Sequence, residues 1–492
     1  MTTFRQSLKS VTMQGLDTLV KLRFALIGII TVGLGILFGY LIDSPEAGEL
    51  IISIVVVVIV LAIIINKPLN GMLVWLFFAV FLETWVNIPL GAGIPDLSFS
   101  RFTIAFLAIF MLARAAIGKF RFAPIGLAEI CILAAPIGIM IAAPLSVHPK
   151  GVIQEAISLH FTPLVMYFFA KNLVKNEGDL HKVFWTIAIL GFVSGVYAAY
   201  EHATGNILFV AKGKEIGKLF RNESGIRIIR GIWGSTGIMG RALAAAIPVT
   251  FYLFLERKRT DICKILLAGM LVAQFYGIYI AMARAPWYSL LLALFIMQFF
   301  YPQFRKVFVV IALVTAVVLW TTWDQVSESD AANRVNDKVS TLEKRDARWQ
   351  AGYNMWRAKP IRGWGFDRYE RESGRFRTDG ESKNFTAIEN DYLYILVGSG
   401  LVGFLPYLTF LLAPLVNSMR LFFRARAPDW SGFIKPETIV IYWAVILCLA
   451  ITSYSAKPAR SDVKLMTFAV AGAVVGTHEL SLRGLKTKKP FS

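Results

Sequence analysis

The chain has 492 residues, of which 56% are hydrophobic and 17% charged, and its formal net charge is +19. A water-soluble protein of this length would form two or three domains with a far more polar surface. The composition excludes an ordinary soluble enzyme and predicts a membrane protein.

Long apolar runs recur along the chain. Each run of about 17–25 residues can cross roughly 30 Å of hydrocarbon as a helix, because backbone groups in lipid must be hydrogen-bonded within their own segment. We predict an all-α polytopic membrane protein of about 12–14 transmembrane helices. The predicted spans are 24–41, 50–66, 71–87, 102–117, 125–145, 158–174, 182–200, 239–256, 262–282, 285–301, 306–323, 391–415, 437–455 and 464–479.

The short connections between these spans predict the orientation. Lys and Arg are concentrated in the connections on the same side as the N-terminus, which the positive-inside rule assigns to the cytoplasm. We therefore predict a single integral membrane domain with both termini cytoplasmic. Residues 1–390 hold helices 1–11 and two large outer loops at about 202–238 and 324–390, and residues 391–492 hold the last three helices and a basic cytoplasmic tail.

The second large loop contains the stretch RWQAGYNMWRAKPIRGWGFDRYERESGRFR, residues 348–377, rich in arginine and aromatic residues. Trp349, Tyr353 and Trp356 recur at helical spacing, which predicts a helix that Pro360 ends. Such a face suits either a helix lying at the membrane interface with its cations in water or a surface that binds anions.

Ionisable residues gather at the predicted outer ends of the spans and avoid their middles. Ion-coupled transporters usually place charged residues at mid-depth, so this pattern favours chemistry at the outer mouth of the bundle over transport. The residues concerned are Glu83, Arg101, Glu201, Arg241, Arg284, Asp324, Glu389 and Asp391.

Two short segments add candidate anion ligands. Arg284 lies in MARAPW, a turn between two predicted spans, where it either contacts lipid headgroups or binds an anion held between rigid helices. Arg230 and Arg241 bracket the glycine-rich RGIWGSTGIMGR just before a span. A helix that begins after such a loop offers free N–H groups and the positive end of its dipole to an anion.

Four segments together resemble the O-antigen ligase and polymerase family of bacterial envelope glycosyltransferases. They are RGIWGSTGIMGRALAAAIP at 230–248, ARAPWYSLLLAL at 283–294, RWQAGYNMWRAKPIRGWGF at 348–366 and ENDYLYILVGSGLVGFLPYL at 389–408. The resemblance implies a glycosyltransferase-C-like bundle. It also implies metal-independent, inverting transfer of a glycan from an undecaprenyl-diphosphate-linked donor, without a cofactor.

The chain departs from the family pattern at two positions. Glu389 stands where ligases usually have histidine, and Ala283 stands where they usually have serine. The resemblance therefore favours a polymerase of O-antigen or exopolysaccharide repeat units. The alternatives are a ligase that transfers glycan to lipid A-core or to protein and, from another class, a lipid-linked sugar transporter.

The resemblance also implies location and partners. It implies the bacterial inner membrane, with the active site facing the periplasm. The expected partners are the undecaprenyl-diphosphate-linked oligosaccharide, an acceptor glycan or lipid A-core, membrane lipids, a flippase and a chain-length regulator. We expect no nucleic-acid partner and no metal. The chain does not resemble a nucleotide-sugar enzyme, since it has neither an Asp-x-Asp metal motif nor a phosphate-binding P-loop.

The residues that match the family motifs suit this chemistry, because arginine makes forked contacts to phosphate oxygens and a carboxylate can accept a proton. We predict Arg230 and Arg284 as the clamp on the leaving diphosphate and Glu389 as the base, unless it only caps a helix. Rival bases are Glu201, His202 and His148. The predicted substrate-binding residues are Arg348, Arg227, Arg241, Arg362 and Asn390.

Overall fold

The computed structural model describes residues 45–83, 87–88, 97–207, 229–257, 261–321, 338–380, 382–455 and 461–476. Within these ranges the chain is almost entirely helical. Its β structure there is a two-residue antiparallel bridge between Asn87–Ile88 and Leu97–Ser98.

The α-helices are, in chain order, α1 Pro45–Asn66, α2 Pro68–Leu82, α3 Phe99–Ala116, α4 Leu127–Ala142, α5 Pro149–Ala156, α6 Thr162–Leu173, α7 Glu177–Thr204, α8 Thr236–Glu256, α9 Ile262–Ile280, α10 Arg284–Phe300, α11 Pro302–Thr321, α12 Lys338–Ala358, α13 Tyr369–Glu372, α14 Asp391–Ala425, α15 Pro436–Tyr454 and α16 Ser461–Ala471. A π-helical turn, Ile157–Phe161, joins α5 to α6, and another, Gly472–Gly476, follows α16.

Eight described helical segments are long and apolar enough to cross a membrane, and four shorter apolar helices accompany them. A helix lies at each predicted span except 24–41, which falls outside the described residues. The predicted class, an all-α polytopic membrane protein, is confirmed. The predicted end of span 71–87 is wrong, because α2 ends at Leu82 and the chain then turns. The Glu83 carboxylate accepts the Ser98 hydroxyl at 2.7 Å.

Helix α8 lies near the centre of the bundle and is the most enclosed of the eight candidate spans. Residues 242–246 are nearly all alanine and at most 2% exposed. Close packing continues between the neighbouring helices α7 and α9, where a Cβ on Gly195 would lie 2.3 Å from the Ala273 carbonyl oxygen. Small residues of this kind let membrane helices approach without polar contacts.

Helix α14 is broken at Gly400, whose φ of +59° and ψ of −158° are not helical. The break is sharp: the Tyr407 hydroxyl donates to Asp391 Oδ2 at 3.1 Å although the two residues are 16 positions apart. A straight helix would separate them by about 24 Å. The predicted continuous span 391–415 therefore needs correction to a short helix over 391–399, followed by a membrane-crossing helix over 401–425.

The loop before α14 fills this break. Residues 360–365 and 397–402 are joined by backbone hydrogen bonds of 2.9–3.2 Å. Asp367 fixes the loop further, because its carboxylate accepts the N–H groups of Val147 and His148 at 2.8 and 2.7 Å. Helix α12 ends at Ala358, before Pro360 as predicted. Residues 338–390 are thus an integral part of the folded bundle.

Residues 338–390 mark one end of the bundle, which we call the loop end. Several helix termini meet there, through the contacts of Trp349 with Tyr454, Arg230 with Glu201, Gly240 with Pro286, and Lys464 with Asp391. At the opposite end, Lys435 bridges Glu177 and Glu256, which joins α7, α8 and the start of α15.

Candidate functional site

Glu389 lies at the loop end, immediately before α14, and its carboxylate faces two guanidinium groups. Arg345 Nε lies 3.3 Å from Glu389 Oε2, and Arg348 Nη1 lies 3.1 Å from Oε1. The φ of Glu389 is +55°, a conformation that costs a non-glycine residue on the order of 1–3 kcal/mol and concentrates at functional sites. The two ion pairs hold the residue in this unusual position.

Helix α12 presents both arginines on one face because they are three residues apart. Neighbouring contacts fix that face. Trp349 Nε1 donates to the Ile388 carbonyl at 3.0 Å, and the Tyr369 hydroxyl donates to the Arg348 carbonyl at 2.9 Å. Burial raises the pKa of Tyr369, so its hydroxyl remains a donor at neutral pH.

Arg348 retains hydrogen-bonding capacity. Its Nε is buried and has no hydrogen-bond partner within the described part of the chain. A guanidinium carries five N–H donors in a fixed fork that suits carboxylate and phosphate oxygens. Arg348 can therefore bind a ligand oxygen at the position next to Glu389.

Asn390 begins α14 and adjoins a groove. Its side chain accepts the Leu393 N–H at 3.0 Å, which caps the helix. The groove has a volume of about 530 Å³ and passes between α12, the start of α14 and the end of α15. Its lining is Asp346, Trp349, Gln350, Tyr353, Asn390, Tyr392, Leu393, Leu396, Phe404 and Tyr454. The site thus has open space beside its charged groups.

Asp391, the first residue of α14, lies next to Asn390 in a buried charged cluster. Lys464 Nζ lies 3.5 Å from Asp391 Oδ2, and both side chains are 1% exposed. The same carboxylate oxygen accepts the Tyr407 hydroxyl, and Arg241, which is 3% exposed, interacts electrostatically with Asp391 and Tyr407. Arg241 is therefore an interior residue of the bundle.

Arg284 and Arg230 belong to neighbouring elements at the same end. Arg284 is half-buried and is the first residue of α10, just after Met282, whose φ is +50°. The Arg230 N–H donates to Glu201 Oε1 at 3.2 Å. Burial lowers the pKa of Arg230, and the Glu201 carboxylate acts in the opposite direction.

The structure thus brings some of the predicted site residues into direct contact and places others at the loop end of the bundle without such a contact. Arg348 pairs with Glu389, and Asn390 follows them in the chain. Arg362 is exposed at the surface, and Arg227 lies outside the described residues.

The rival bases have other contacts. Glu201 is 1% exposed and accepts the N–H of Gly231 at 2.8 Å, an anchoring role for the segment before α8. His148 lies 3.3 Å from Arg371, and His202 lies 2.9 Å from the Tyr276 hydroxyl. Glu389 is the one of these carboxylate and imidazole groups that lies against the paired arginines of α12.

Sequence reasoning missed Arg345 and Lys464. Arg345 had a usable signal, because it lies one helical turn before Arg348 in a segment predicted to be helical. Lys464 had no such signal. It lies 73 positions after Asp391 in the chain, at the first residue of the predicted span 464–479, and the structure buries it.

Among the described residues, Glu177, His181 and Glu256 could together hold a metal ion. They lie at the opposite end of the bundle, where the Lys435 ammonium is ion-paired with both carboxylates. That group therefore plays no part in the geometry around Glu389.

The fold and the site define a multi-pass membrane protein with a cationic, carboxylate-containing site at one end of a helical bundle. Residues 269–408 match the family model described as O-antigen ligase, a segment that contains Arg284, the paired arginines of α12 and Glu389. This match supports an assignment to the O-antigen ligase and polymerase family, whose members are glycosyltransferase-like enzymes. A comparison with curated proteins finds no match.

Proposed function

We propose that this protein polymerises glycan repeat units carried on undecaprenyl diphosphate, at the periplasmic face of the bacterial inner membrane, with both termini in the cytoplasm. In this proposal a flippase supplies the donor and a chain-length regulator limits the product. O-antigen and exopolysaccharide are the two product classes.

One observation carries the proposal. Glu389, at the position of the family's histidine, is held between Arg345 and Arg348, and Arg348 Nε has no internal acceptor in the described structure. A carboxylate beside guanidinium donors provides both a proton acceptor and ligands for a diphosphate. At ~4 Å, an arginine–phosphate pair near a protein surface gains roughly 4 kcal/mol, so several arginines can replace a divalent cation.

The proposed reaction is an inverting displacement. The oxygen of an acceptor sugar hydroxyl attacks the anomeric carbon, and the bond from that carbon to the phosphate oxygen breaks. The hydroxyl proton goes to Glu389, and the electron pair leaves with undecaprenyl diphosphate. Arg284 and Arg230 stabilise the departing charge, and Arg348, Arg241, Arg362, Arg227 and Asn390 bind the substrates.

Before the reaction, both oxygens of Glu389 face guanidinium nitrogens. The donor diphosphate is a stronger forked acceptor for the same arginines. We therefore include an exchange of partners in the proposal: the diphosphate takes Arg345 and Arg348, and Glu389 becomes available to the acceptor hydroxyl.

The second candidate is ligation to lipid A-core or to protein, which the description of the matching family favours. Deletion of the gene in its host, followed by sizing of lipopolysaccharide and exopolysaccharide, separates the two. Products with a single repeat unit support the polymerase. Full-length chains that stay on the lipid carrier support the ligase and contradict the polymerase.

Complementation of the deletion strain tests Glu389. Glu389→Gln keeps the side chain's shape but removes the proton acceptor, so we expect insertion into the membrane without glycan lengthening. Glu370→Gln, an exposed carboxylate in the same loop, is the matched control and should restore normal chains. Normal chain length with Glu389→Gln would remove Glu389 from the mechanism.

A further inference from the structure

Within the described residues, the bundle contains two buried lysine–carboxylate pairs with different surroundings. Lys171 Nζ, in α6, lies 2.6 Å from Glu129 Oε1 and 2.8 Å from the Pro124 carbonyl oxygen. Glu129 also accepts the Tyr167 hydroxyl at 3.0 Å. This pair has the short hydrogen bonds to several partners that a buried structural ion pair needs.

The second pair, Lys464 and Asp391, is loose. Lys464 Nζ lies 3.5 Å from Asp391 Oδ2, and neither Nζ nor Asp391 Oδ1 has a hydrogen-bond partner in the described ranges of the chain. Both side chains are 1% exposed. An ammonium group has three N–H donors, and burying them unsatisfied is strongly unfavourable. Lys464 therefore retains hydrogen-bonding capacity for an acceptor oxygen from outside the described residues.

The position of Lys464 indicates which acceptor. Asp391 is two residues after Glu389, and Arg241 interacts electrostatically with the same carboxylate. A positively charged ligand is disfavoured between Arg241 and Lys464. The Glu155 carboxylate also interacts with Lys464, but it accepts the Tyr394 hydroxyl. An oxygen that binds Lys464 Nζ is favoured when it is anionic, because charge-assisted hydrogen bonds are the strong ones.

We propose that Lys464 is an anion-binding residue whose Nζ, together with the Arg241 guanidinium, receives a phosphoryl oxygen of the lipid-linked diphosphate. The identity of the ligand rests on the proposed function. The open hydrogen-bonding capacity of Lys464 is independent of it.

A binding measurement tests this without glycan transfer. The full chain in lipid nanodiscs is titrated with undecaprenyl diphosphate, and its unfolding temperature reports binding. Lys464→Met should weaken the apparent affinity by about 10- to 100-fold, as expected for the loss of one charge-assisted hydrogen bond. Inorganic diphosphate and phosphatidylglycerol are titrated in parallel to distinguish the donor headgroup from a free anion and from an ordinary lipid.

Two double variants separate binding from stability. Lys464→Met with Asp391→Asn and Lys171→Met with Glu129→Leu each remove both partners of a buried pair. The first double variant also removes the carboxylate that faces Arg241, so the unfolding temperature of each variant is measured without ligand as well. Only the first should lose affinity for undecaprenyl diphosphate. Equal affinity in wild type, Lys464→Met and the first double variant would show that Lys464 is structural and overturn the inference.

The outcome distinguishes this inference from the proposed function. If wild type binds undecaprenyl diphosphate through Lys464 but transfers no glycan, the proposed function fails and the anion site stands. If wild type transfers glycan and Lys464→Met binds the diphosphate normally, the anion site fails and the proposed function stands. If Lys464→Met weakens the binding of inorganic diphosphate but leaves the binding of undecaprenyl diphosphate unchanged, the inference is also overturned.

Discussion

Arg348 combines three features in one side chain. It is ion-paired with Glu389, its carbonyl accepts the Tyr369 hydroxyl, and its Nε is buried without a hydrogen-bond partner in the described structure. Its backbone is thus fixed while its guanidinium retains a donor. This arrangement suits a residue that exchanges an internal carboxylate for a ligand oxyanion.

Arg348→Lys should reduce glycan transfer by about 10- to 100-fold, because an ammonium keeps the charge but cannot make the planar fork. Initial rates with a defined lipid-linked donor, measured on protein in nanodiscs, provide the test. Arg375→Lys is the matched control, since Arg375 lies in the same loop, is 80% exposed and pairs with Glu372. The control should keep the wild-type rate.

Equal rates for Arg348→Lys and wild type would mean that only the positive charge of Arg348 is needed. The forked contact to a phosphate would then have to be assigned to another arginine, of which Arg345 on the same helix face is the nearest candidate.

At the scale of the element, the break in α14 depends on glycine. A Cβ on Gly400 would lie 2.3 Å from the Ile361 carbonyl oxygen, and the φ of +59° is itself unfavourable for other residues. The break turns the 391–399 segment so that Asp391 meets Tyr407. The position of the 389–391 corner therefore rests on a residue eleven positions away from Glu389.

Gly400→Ala should lower the unfolding temperature of the purified protein markedly, because the methyl group adds a steric clash to a φ cost of about 1–2 kcal/mol. Gly380→Ala isolates the φ contribution, since Gly380 has a φ of +81° but no atom within 4 Å of the position that a Cβ would occupy. The smaller loss should come from Gly380→Ala. Equal losses would show that the contact with Ile361 adjusts at little cost.

Sequence reasoning predicted the end of α12 correctly and missed the break in α14, because the first depends on local sequence and the second on tertiary contacts. The end of α12 is local, because Pro360 cannot continue the helix. The break of α14 is not local. The hydrophobic run from 391 onward is continuous, and the hydrogen bonds that stabilise the break at Gly400 come from residues 360–365, which are distant from it in the chain.

At the scale of the whole molecule, the contacts agree with spans that run alternately in opposite directions through the bundle. Helix ends that the sequence assigns to the outer side meet at the loop end, and Glu177, Glu256 and Lys435, assigned to the cytoplasmic side, meet at the other. The grouping fixes which ends lie together, and a labelling experiment assigns each end to a face of the membrane.

Single-cysteine reporters test the orientation in intact cells, after replacement of Cys131, Cys263 and Cys448. Arg375→Cys, at an 80% exposed position of the loop end, should react with a membrane-impermeant maleimide from the periplasm. Asp429→Cys, at a 64% exposed position of the opposite end, should react only after the inner membrane is opened. The reverse labelling pattern would invert the proposed topology.

The site was predictable where it falls in recognisable motifs and not elsewhere. Arg348 and Glu389 belong to segments that resemble the family, and the matching region ends at residue 408. Lys464 lies beyond it, on a helix whose burial depends on packing against the rest of the bundle. Its proximity to Asp391 is a property of the tertiary structure, which spacing along the chain does not encode.

The hydrogen bonds between residues 360–365 and 397–402 have a consequence for turnover. They satisfy peptide groups that the broken helix leaves without partners, and leaving such buried groups unpaired would cost about 1–3 kcal/mol each. Swinging this segment aside at every catalytic cycle would be prohibitively unfavourable. Residues 360–365 and 397–402 therefore stay in place during turnover, and the reactants and the lengthening sugar chain must enter and leave past them.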